Sequence, residues 1–290
     1  NKIPKLKFVR KAIKKFMPGE TEYEAILAAE KLLKDDIGVT FTKLGENITQ
    51  IAEAEKVKNH YLQLIQIIKN KKLNIELSIK LTQLGFDLDE EVCFKYCEEI
   101  INSVKLNLGN TLFIDMEGSS YTQRTIDFYK RLKTINQNVG ICLQAYLYRT
   151  QNDLSDLLVE NSKIRLVKGA YREAKEIAYP LKKDVDKNYL DLSKKMLMKI
   201  KENSIRIIFG THDDILIEKI IKEAKYLNIS KEHLEFQMLY GIKNEYLKDL
   251  VKRGYKGSIL IAYGNSWYAW YMRRLAERPA NIWFVLKNIF

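Results

Sequence analysis

Residues 164–171 read IRLVKGAY, a short apolar run that ends in a lysine, a glycine and a tyrosine. A run of this length that is closed by a turn is typical of a buried strand. Residues 188–201 follow with leucine, methionine and isoleucine at helical spacing, which predicts a long helix. This part of the chain therefore forms a unit of one strand, one turn and one helix.

The same unit recurs along the whole chain. Short apolar runs that predict strands lie at residues 39–44, 75–81, 112–116, 139–146, 164–168, 205–209, 234–239 and 259–263. Successive runs start roughly 24 to 42 residues apart, which is the length of a strand, a helix and two loops. Helical patterns fill the intervals, as at residues 122–132. Eight such units predict an α/β fold, a (β/α)8 barrel.

Length and composition fit one domain. With 290 residues, 46% of them apolar, the chain can bury a large core, and 4 prolines and 13 glycines leave no room for a flexible linker. We expect a single domain over residues 1–290, with an N-terminal helical cap at residues 1–37. No apolar stretch is long enough to span a membrane, so a cytoplasmic protein is expected. Cys93, Cys97 and Cys142 are expected to be reduced, structural thiols.

The chain is strongly basic, with a net charge of +12 from 49 Lys and Arg against 37 Asp and Glu. Such a charge favours anionic partners, which include nucleic acid and the anionic surface of a membrane. The lysines are spread along the chain, as at residues 69–72 and 194–195, so a solvated surface explains most of them. We therefore expect no nucleic acid partner, and we keep peripheral contact with the inner face of the cell membrane as a candidate.

Polar side chains follow the predicted strands at the ends where a barrel places its active site. They include Lys80, Asp115, Glu117, Gln144, Lys168, Tyr171, Thr211, His212, Asp213, Gln237, Tyr240 and Tyr263. A polar group beside a packed core costs free energy unless it is paired or solvated, so this ring predicts a functional site. A strand-end lysine is also the Schiff-base nucleophile of barrel aldolases, which gives Lys168 an alternative role in a lyase.

The C-terminal segment YGNSWYAWYMRRLAERP, residues 263–279, combines aromatic rings with adjacent arginines at Arg273 and Arg274. Guanidinium groups match a carboxylate bidentately, and aromatic walls exclude the water that would screen the pairing. Adjacent helical positions diverge by about 100°, so both arginines face one ligand only where the helix end lies across the site. A surface ion pair between Arg273 and Glu277 is the simpler alternative. The aromatic flank favours a site for a small carboxylate.

Seven motifs in register resemble one known family. They are SIKL at 78–81, DME at 115–117, LQAY at 143–146, RLVKGAY at 165–171, GTHD at 210–213, EFQMLYG at 235–241 and MRRLAERP at 272–279. Together they are similar to the FAD-dependent proline dehydrogenases of the monofunctional bacterial and archaeal type. The resemblance implies a distorted TIM barrel whose last helix lies over the barrel mouth. It also implies oxidation of L-proline to 1-pyrroline-5-carboxylate, with hydride passing from proline C5 to N5 of FAD and electrons passing to a quinone. This reaction begins proline catabolism to glutamate.

The resemblance also implies roles for individual residues. The substrate-binding residues would be Lys80, Asp115, Tyr171, Leu260, Arg273 and Arg274, of which Lys80, Asp115 and Tyr171 are expected to be catalytic. The cofactor-binding residues would be Gln144, Arg165, Lys168, Gly169, Ala170, Thr211, His212, Gln237 and Glu277, and no metal is expected. Arg165 and Lys168 suit the pyrophosphate and the reduced ring of the flavin, and Gly169 allows close backbone approach.

Several points stay open at the level of sequence. Lys80 and Asp115 follow neighbouring strands and could form a purely structural ion pair. Leu260 and Trp270 stand where the family usually has tyrosines, which keeps the pocket apolar but removes two hydroxyl groups. A dehydrogenase for a related cyclic imino acid is therefore an alternative, although proline is favoured. The sequence does not identify the group that accepts the amine proton.

Overall fold

A computed structural model describes residues 15–45, 48–200 and 205–268 of the chain. The strands in these ranges are β1 (Gly38–Lys43), β2 (Ile75–Ile79), β3 (Leu112–Ile114), β4 (Val139–Gln144), β5 (Lys163–Val167), β6 (Arg206–Gly210), β7 (Glu235–Leu239) and β8 (Lys256–Tyr263). Each strand pairs in parallel with the next, and β8 pairs with β1, so the sheet closes into a barrel. The predicted (β/α)8 barrel is confirmed, and each predicted strand overlaps one of these strands.

Helices alternate with the strands over the described ranges. They are α1 (Glu22–Leu33), α2 (Ile51–Asn70), α3 (Glu90–Asn107), α4 (Thr122–Ile135), α5 (Thr150–Leu157), α6 (Lys182–Ile200), α7 (Asp214–Tyr226) and α8 (Asn244–Lys252). Several begin at a residue whose side chain accepts a hydrogen bond from a free backbone N–H group of the first turn. Thr21 and Glu24 form a capping box at α1, Asp89 caps α3, and Asp213 caps α7.

The main hydrophobic core is a shell between the strands and the helices. Successive side chains of a strand point to opposite faces, so each strand supplies one set to the shell and another to the barrel interior. Leu77 and Ile79 of β2 are fully buried in the shell. The intervening Ser78 instead bonds to Asp115 and Arg165 across the interior. Because the shell supplies the apolar burial, the interior can hold polar groups.

The amino end of the barrel interior is also charged. Arg206 of β6 lies between Glu76 and Glu235, with hydrogen bonds of 3.0 Å to the first and 2.8 and 2.9 Å to the second. The ring of Phe113 lies above this cluster, 5.7 Å from the guanidinium carbon of Arg206. Gly140 makes room for this ring, since a Cβ at this position would lie 2.5 Å from it. The interior is therefore closed by an ion cluster and an aromatic ring.

The two chain ends are described in part. Helix α1 belongs to the predicted N-terminal helical region and packs against β1 and β8, where the barrel closes. After β8, the indole Nε1 of Trp267 donates to Glu20 at 3.0 Å, which ties the start of the C-terminal segment to the N-terminal one. The predicted helix over the barrel mouth lies mostly in residues 269–290, outside the described residues. Among the described helices, none combines the length and the apolar composition that crossing a bilayer requires.

Candidate active site

A cavity of about 640 Å³ opens at the carboxyl end of the barrel. Its wall includes ten residues predicted from the sequence, namely Asp115, Arg165, Lys168, Gly169, Ala170, Thr211, His212, Asp213, Gln237 and Leu260. They come from the ends of β3 and β5 to β8 and from the loops that follow. A parallel barrel brings these ends together, which explains why residues far apart in the chain meet here. The volume is in the range typical of cofactor and small-molecule sites.

An ion cluster of Lys80, Asp115 and Arg165 forms one side of the site. Asp115 accepts a hydrogen bond from Nζ of Lys80 at 2.9 Å and forms an ion pair with Arg165. Burial by itself would raise the pKa of the Asp115 carboxyl, but the charges of Lys80 and Arg165 outweigh it and lower the pKa to about 2. Asp115 is therefore ionised at neutral pH, and the cluster has one positive charge in excess.

Gln237 of β7 holds Arg165 from the other side. Its Oε1 accepts a hydrogen bond from Nη1 of Arg165 at 3.2 Å. Its Nε2 donates to the hydroxyl oxygens of Thr40 at 3.1 Å and Ser258 at 3.2 Å. An amide that accepts on one side and donates on the other has one favoured orientation, so Gln237 helps to fix the Arg165 guanidinium.

The ammonium group of Lys168 lies between two carboxylates. It donates to Asp213 at 2.9 Å and forms an ion pair with Asp186. Burial raises the pKa of Asp213, but the hydrogen bond and the charge of Lys168 lower it to about 2. A Schiff-base nucleophile must offer a free amine, whereas Lys168 is engaged as a donor to both carboxylates. This arrangement counts against the lyase alternative.

Gly169 follows Lys168 and brings the backbone to the cavity. Its φ of +123° is in the region that favours glycine. A Cβ at this position would lie 2.4 Å from the ring of Tyr146. The packing of Tyr146 therefore requires glycine at this position. Ala170 continues the wall of the cavity, and the half-buried Tyr171 lies next to it on the same loop.

Thr211 and His212 form the wall after β6. The Nε2 atom of His212 accepts a hydrogen bond from the backbone N–H of Leu239 at 2.9 Å. A nitrogen that accepts cannot carry a proton, so this contact assigns the proton of the neutral ring to Nδ1. The hydroxyl oxygen of Thr211 accepts from the backbone N–H of Asp213 at 3.2 Å. This side of the cavity therefore presents neutral polar groups beside the charged Lys168.

Some predicted residues lie beside the cavity or outside the described chain. The Nε2 atom of Gln144 donates to the carbonyl oxygens of Met116 at 2.9 Å and Glu117 at 3.1 Å, directly behind Asp115. Lys80 likewise reaches the site through Asp115. The substrate residues Arg273 and Arg274, the cofactor residue Glu277 and the substituted position Trp270 are outside the described residues.

Sequence reasoning missed several residues of the cavity wall. They are Cys142, Val167, Lys182, Gly210, Asp214, Met238, Leu239 and Lys243. Strand alternation could have found Cys142, because it stands two positions before Gln144 on β4 and so shares its face. Its thiol is buried and not in a disulfide, and burial raises its pKa. Lys182 and Lys243 mark the starts of α6 and α8, for which the sequence carries no distinct signal.

Comparison with known proteins points to one family. The family model described as proline dehydrogenase matches residues 25–287. Proline dehydrogenase 2 of Bacillus subtilis strain 168 is 36% identical over 280 residues, which cover 97% of this chain and 91% of that protein. The proline dehydrogenase of Deinococcus radiodurans is 33% identical over 280 residues, which cover 95% of this chain and 89% of that protein.

A solved structure has the same architecture. The crystal structure of proline utilization A (PutA) from Bdellovibrio bacteriovorus, inactivated by N-propargylglycine, matches 92% of this chain with a TM-score of 0.84 and 26% identity. This chain spans 32% of the length of that protein, so the likeness concerns one part of it. Since the family model covers most of the chain and the two relatives match it almost from end to end, this chain belongs to the proline dehydrogenase family.

Proposed function

We propose that this chain oxidises L-proline to 1-pyrroline-5-carboxylate with FAD as its resident cofactor, as the first step of proline catabolism to glutamate. The observation that carries the proposal is the cavity at the carboxyl end of the barrel, whose wall holds Asp115 and Arg165, with Lys80 paired to Asp115 behind the wall. Family membership indicates the reaction, and the cavity offers a place for it. Bound FAD would supply the acceptor for the hydride that leaves C5 of proline.

The residues present fit a flavin. Gly169 brings the backbone to the cavity wall, and the ring of Tyr146 packed against it leaves no room for a side chain at this position. Within the described part of the chain, Oε1 of Gln144 is buried without a hydrogen-bond partner, and an N–H donor of a ligand ring would satisfy it. We assign the cofactor to Gln144, Arg165, Lys168, Gly169, Ala170, Thr211, His212 and Gln237, together with Glu277 beyond the described residues.

The Asp115 cluster suits the substrate side of the site. With a pKa of about 2, Asp115 is a weak proton acceptor, so it acts as a fixed negative charge that holds Lys80 and Arg165 in place. The excess positive charge of the cluster attracts an anionic group. We propose Lys80 and Asp115 of this cluster, together with Tyr171, as the catalytic residues. Arg273 and Arg274 complete the proposal as the binding residues for the proline carboxylate.

Leu260 gives the proposed substrate pocket an apolar wall at the end of β8. The ring carbons of proline fit such a wall. The hydroxyl group of hydroxyproline would be buried there without a partner, which costs about 1–3 kcal/mol. Because Leu260 replaces a hydroxyl-bearing residue, a cyclic imino acid of different ring size is the second candidate substrate.

We also propose a quinone as the electron acceptor and a single domain over residues 1–290, with a helical cap at residues 1–37. The electron-transfer partner of a quinone-linked enzyme is in the membrane. A net charge of +12 suits peripheral contact of a cytoplasmic protein with the anionic inner face of the cell membrane.

The proposal is tested on the purified full chain. We expect a flavin absorption spectrum, release of FAD on denaturation, and dye-coupled oxidation of L-proline that is faster than that of hydroxyproline or pipecolate. Asp115→Asn should lower kcat/KM for proline by about 100-fold or more. The matched control is Asp153→Asn. Asp153 is on the outer helix α5 and its carboxylate pairs with Arg149, so this substitution should leave kcat/KM unchanged.

Two outcomes would contradict the proposal. The first is a colourless protein that takes up no FAD and does not oxidise proline. The second is a substrate adduct on Lys168 that is trapped by borohydride, because such an adduct would support the lyase alternative.

A further inference from the structure

Ser78 lies inside the barrel, below the cavity. It is on β2, two residues before Lys80, and it is fully buried. It is not part of the cavity wall formed by the described residues, so a ligand in the cavity does not touch it. A buried hydroxyl group costs free energy unless it is bonded, so its partners indicate its role.

The Ser78 hydroxyl joins Asp115 to Arg165. It donates to Oδ1 of Asp115 at 2.6 Å and accepts from Nη2 of Arg165 at 2.9 Å. The carbonyl oxygen of Phe113 is a more distant acceptor, at 3.4 Å. The Ser78 hydroxyl thus donates its proton to the nearer acceptor, the ionised carboxylate of Asp115, and accepts from the cationic guanidinium of Arg165. Both hydrogen bonds are therefore charge-assisted.

Other hydroxyl groups of the barrel interior have different partners. Thr40 and Ser258 both accept from the amide of Gln237, and Ser258 is also near Glu235, with 3.3 Å between the oxygens. Thr42 donates to Asp115 at 3.4 Å, which is longer than the Ser78 contact, and accepts from Nζ of Lys80 at 3.4 Å. Among the hydroxyl groups in the described part of the interior, Ser78 is therefore the one bonded to both Asp115 and Arg165.

We propose that Ser78 is a positioning residue for the oxidation of proline, which fixes Asp115 and Arg165 relative to each other without contacting substrate or cofactor. The inference rests on the proposed function, in which Asp115 belongs to the catalytic residues and Arg165 to the cofactor site. Without the hydroxyl group, Asp115 loses its shortest neutral donor and Arg165 loses one of its acceptors. Small displacements of groups in an active site lower the rate strongly.

Three variants of Ser78 distinguish the effect of the hydroxyl group from the effect of side-chain volume. Ser78→Ala removes the group, Ser78→Cys keeps a similar volume with a weak donor, and Ser78→Thr keeps the hydroxyl. The matched control is Ser193→Ala on α6, where an equally buried hydroxyl donates to the carbonyl oxygen of Tyr189 at 2.7 Å and neither residue lines the cavity. The Cys variant also keeps the test possible if the Ala variant does not fold.

We expect Ser78→Ala and Ser78→Cys to lower kcat/KM for proline by about 10- to 100-fold, mostly through kcat, because two charge-assisted hydrogen bonds are lost. Ser78→Thr should keep most of the activity, and Ser193→Ala should match the wild type. The midpoint potential of the bound flavin, measured without proline, should fall in Ser78→Ala because the positive charge of Arg165 is held less firmly. A purely structural role would leave this potential unchanged.

The outcomes distinguish this inference from the proposed function. A wild-type protein that neither holds flavin nor oxidises proline refutes the proposed function. A wild-type protein that does both, with Ser78→Ala equal to Ser193→Ala in kcat/KM and in midpoint potential, refutes the role of Ser78 alone. Equal losses in Ser78→Thr and Ser78→Ala would also refute it, since the hydroxyl group would then not matter.

Discussion

Asp115 makes the stability of the folded chain depend on pH. Burial raises its pKa, but Lys80 and Arg165 lower it from the ordinary 3.8 to about 2. A carboxyl group with a lower pKa in the folded state stabilises the fold above its unfolded pKa, and this stabilisation is lost as the pH falls through the folded value. The gap between 3.8 and about 2 corresponds to about 2 kcal/mol at neutral pH. The Asp115 side chain is only 15% exposed, so solvent screening reduces this figure little.

The variant Asp115→Asn tests this reasoning, because asparagine has nearly the shape of a protonated aspartic acid. Urea unfolding is measured from about pH 7 to about pH 3, and the difference in unfolding free energy between wild type and variant is followed. We expect a difference of at least about 2 kcal/mol at neutral pH that begins to shrink below about pH 4, is roughly halved at about pH 3, and disappears only below the folded pKa of about 2. Asp213 also has a pKa lowered to about 2, but it is present in both proteins and cancels in the difference. A difference that does not change with pH would refute the reasoning.

Three further predictions concern other parts of the molecule. Gly169→Ala adds a Cβ 2.4 Å from a neighbouring ring at a φ of +123°, so flavin titration should show affinity lowered by about tenfold or more. Arg206→Met leaves Glu76 and Glu235 without their shared cation, so urea unfolding should show about 3 kcal/mol less stability, with KM for proline unchanged. Leu260→Tyr should raise kcat/KM for hydroxyproline relative to proline, and an unaltered ratio in steady-state assays would exclude contact between Leu260 and the ring.

The sequence predicted the barrel well because its signals are local. The order and spacing of the apolar runs identified every strand of the closed sheet, but three predicted strands were too long by two residues. The run 112–116 ends as a strand at Ile114, just before Asp115. The run 75–81 ends as a strand at Ile79, since the chain then turns and the N–H of Gln83 bonds to the carbonyl oxygen of Lys80. The run 139–146 ends at Gln144 in the same way. Both runs continue as apolar sequence because the turns that follow them are buried as well.

The site was predictable in its location but not in its pairing. A polar residue after a predicted strand identifies the carboxyl end of the barrel, so Asp115, Lys168 and Gln237 could be placed there from sequence. Which side chain bonds to which depends on the stagger of strands around the closed sheet, and the sequence does not encode this locally. The pairing of Arg165 with Asp115 and the role of Ser78 between them became visible only in three dimensions.

The charges of the barrel interior form two layers of opposite sign. The layer at the amino end is Glu76, Arg206 and Glu235, and the layer at the carboxyl end is Lys80, Asp115 and Arg165. By formal charge the first has one negative charge in excess and the second has one positive. The ring of Phe113 contacts the guanidinium groups of both layers, at 5.7 Å from Arg206 and 5.1 Å from Arg165. The excess charges of the two layers attract each other across this apolar ring. This attraction partly offsets the free-energy cost of burying the positive layer. The barrel can therefore keep a net positive wall at its mouth, where an anionic ligand would meet it.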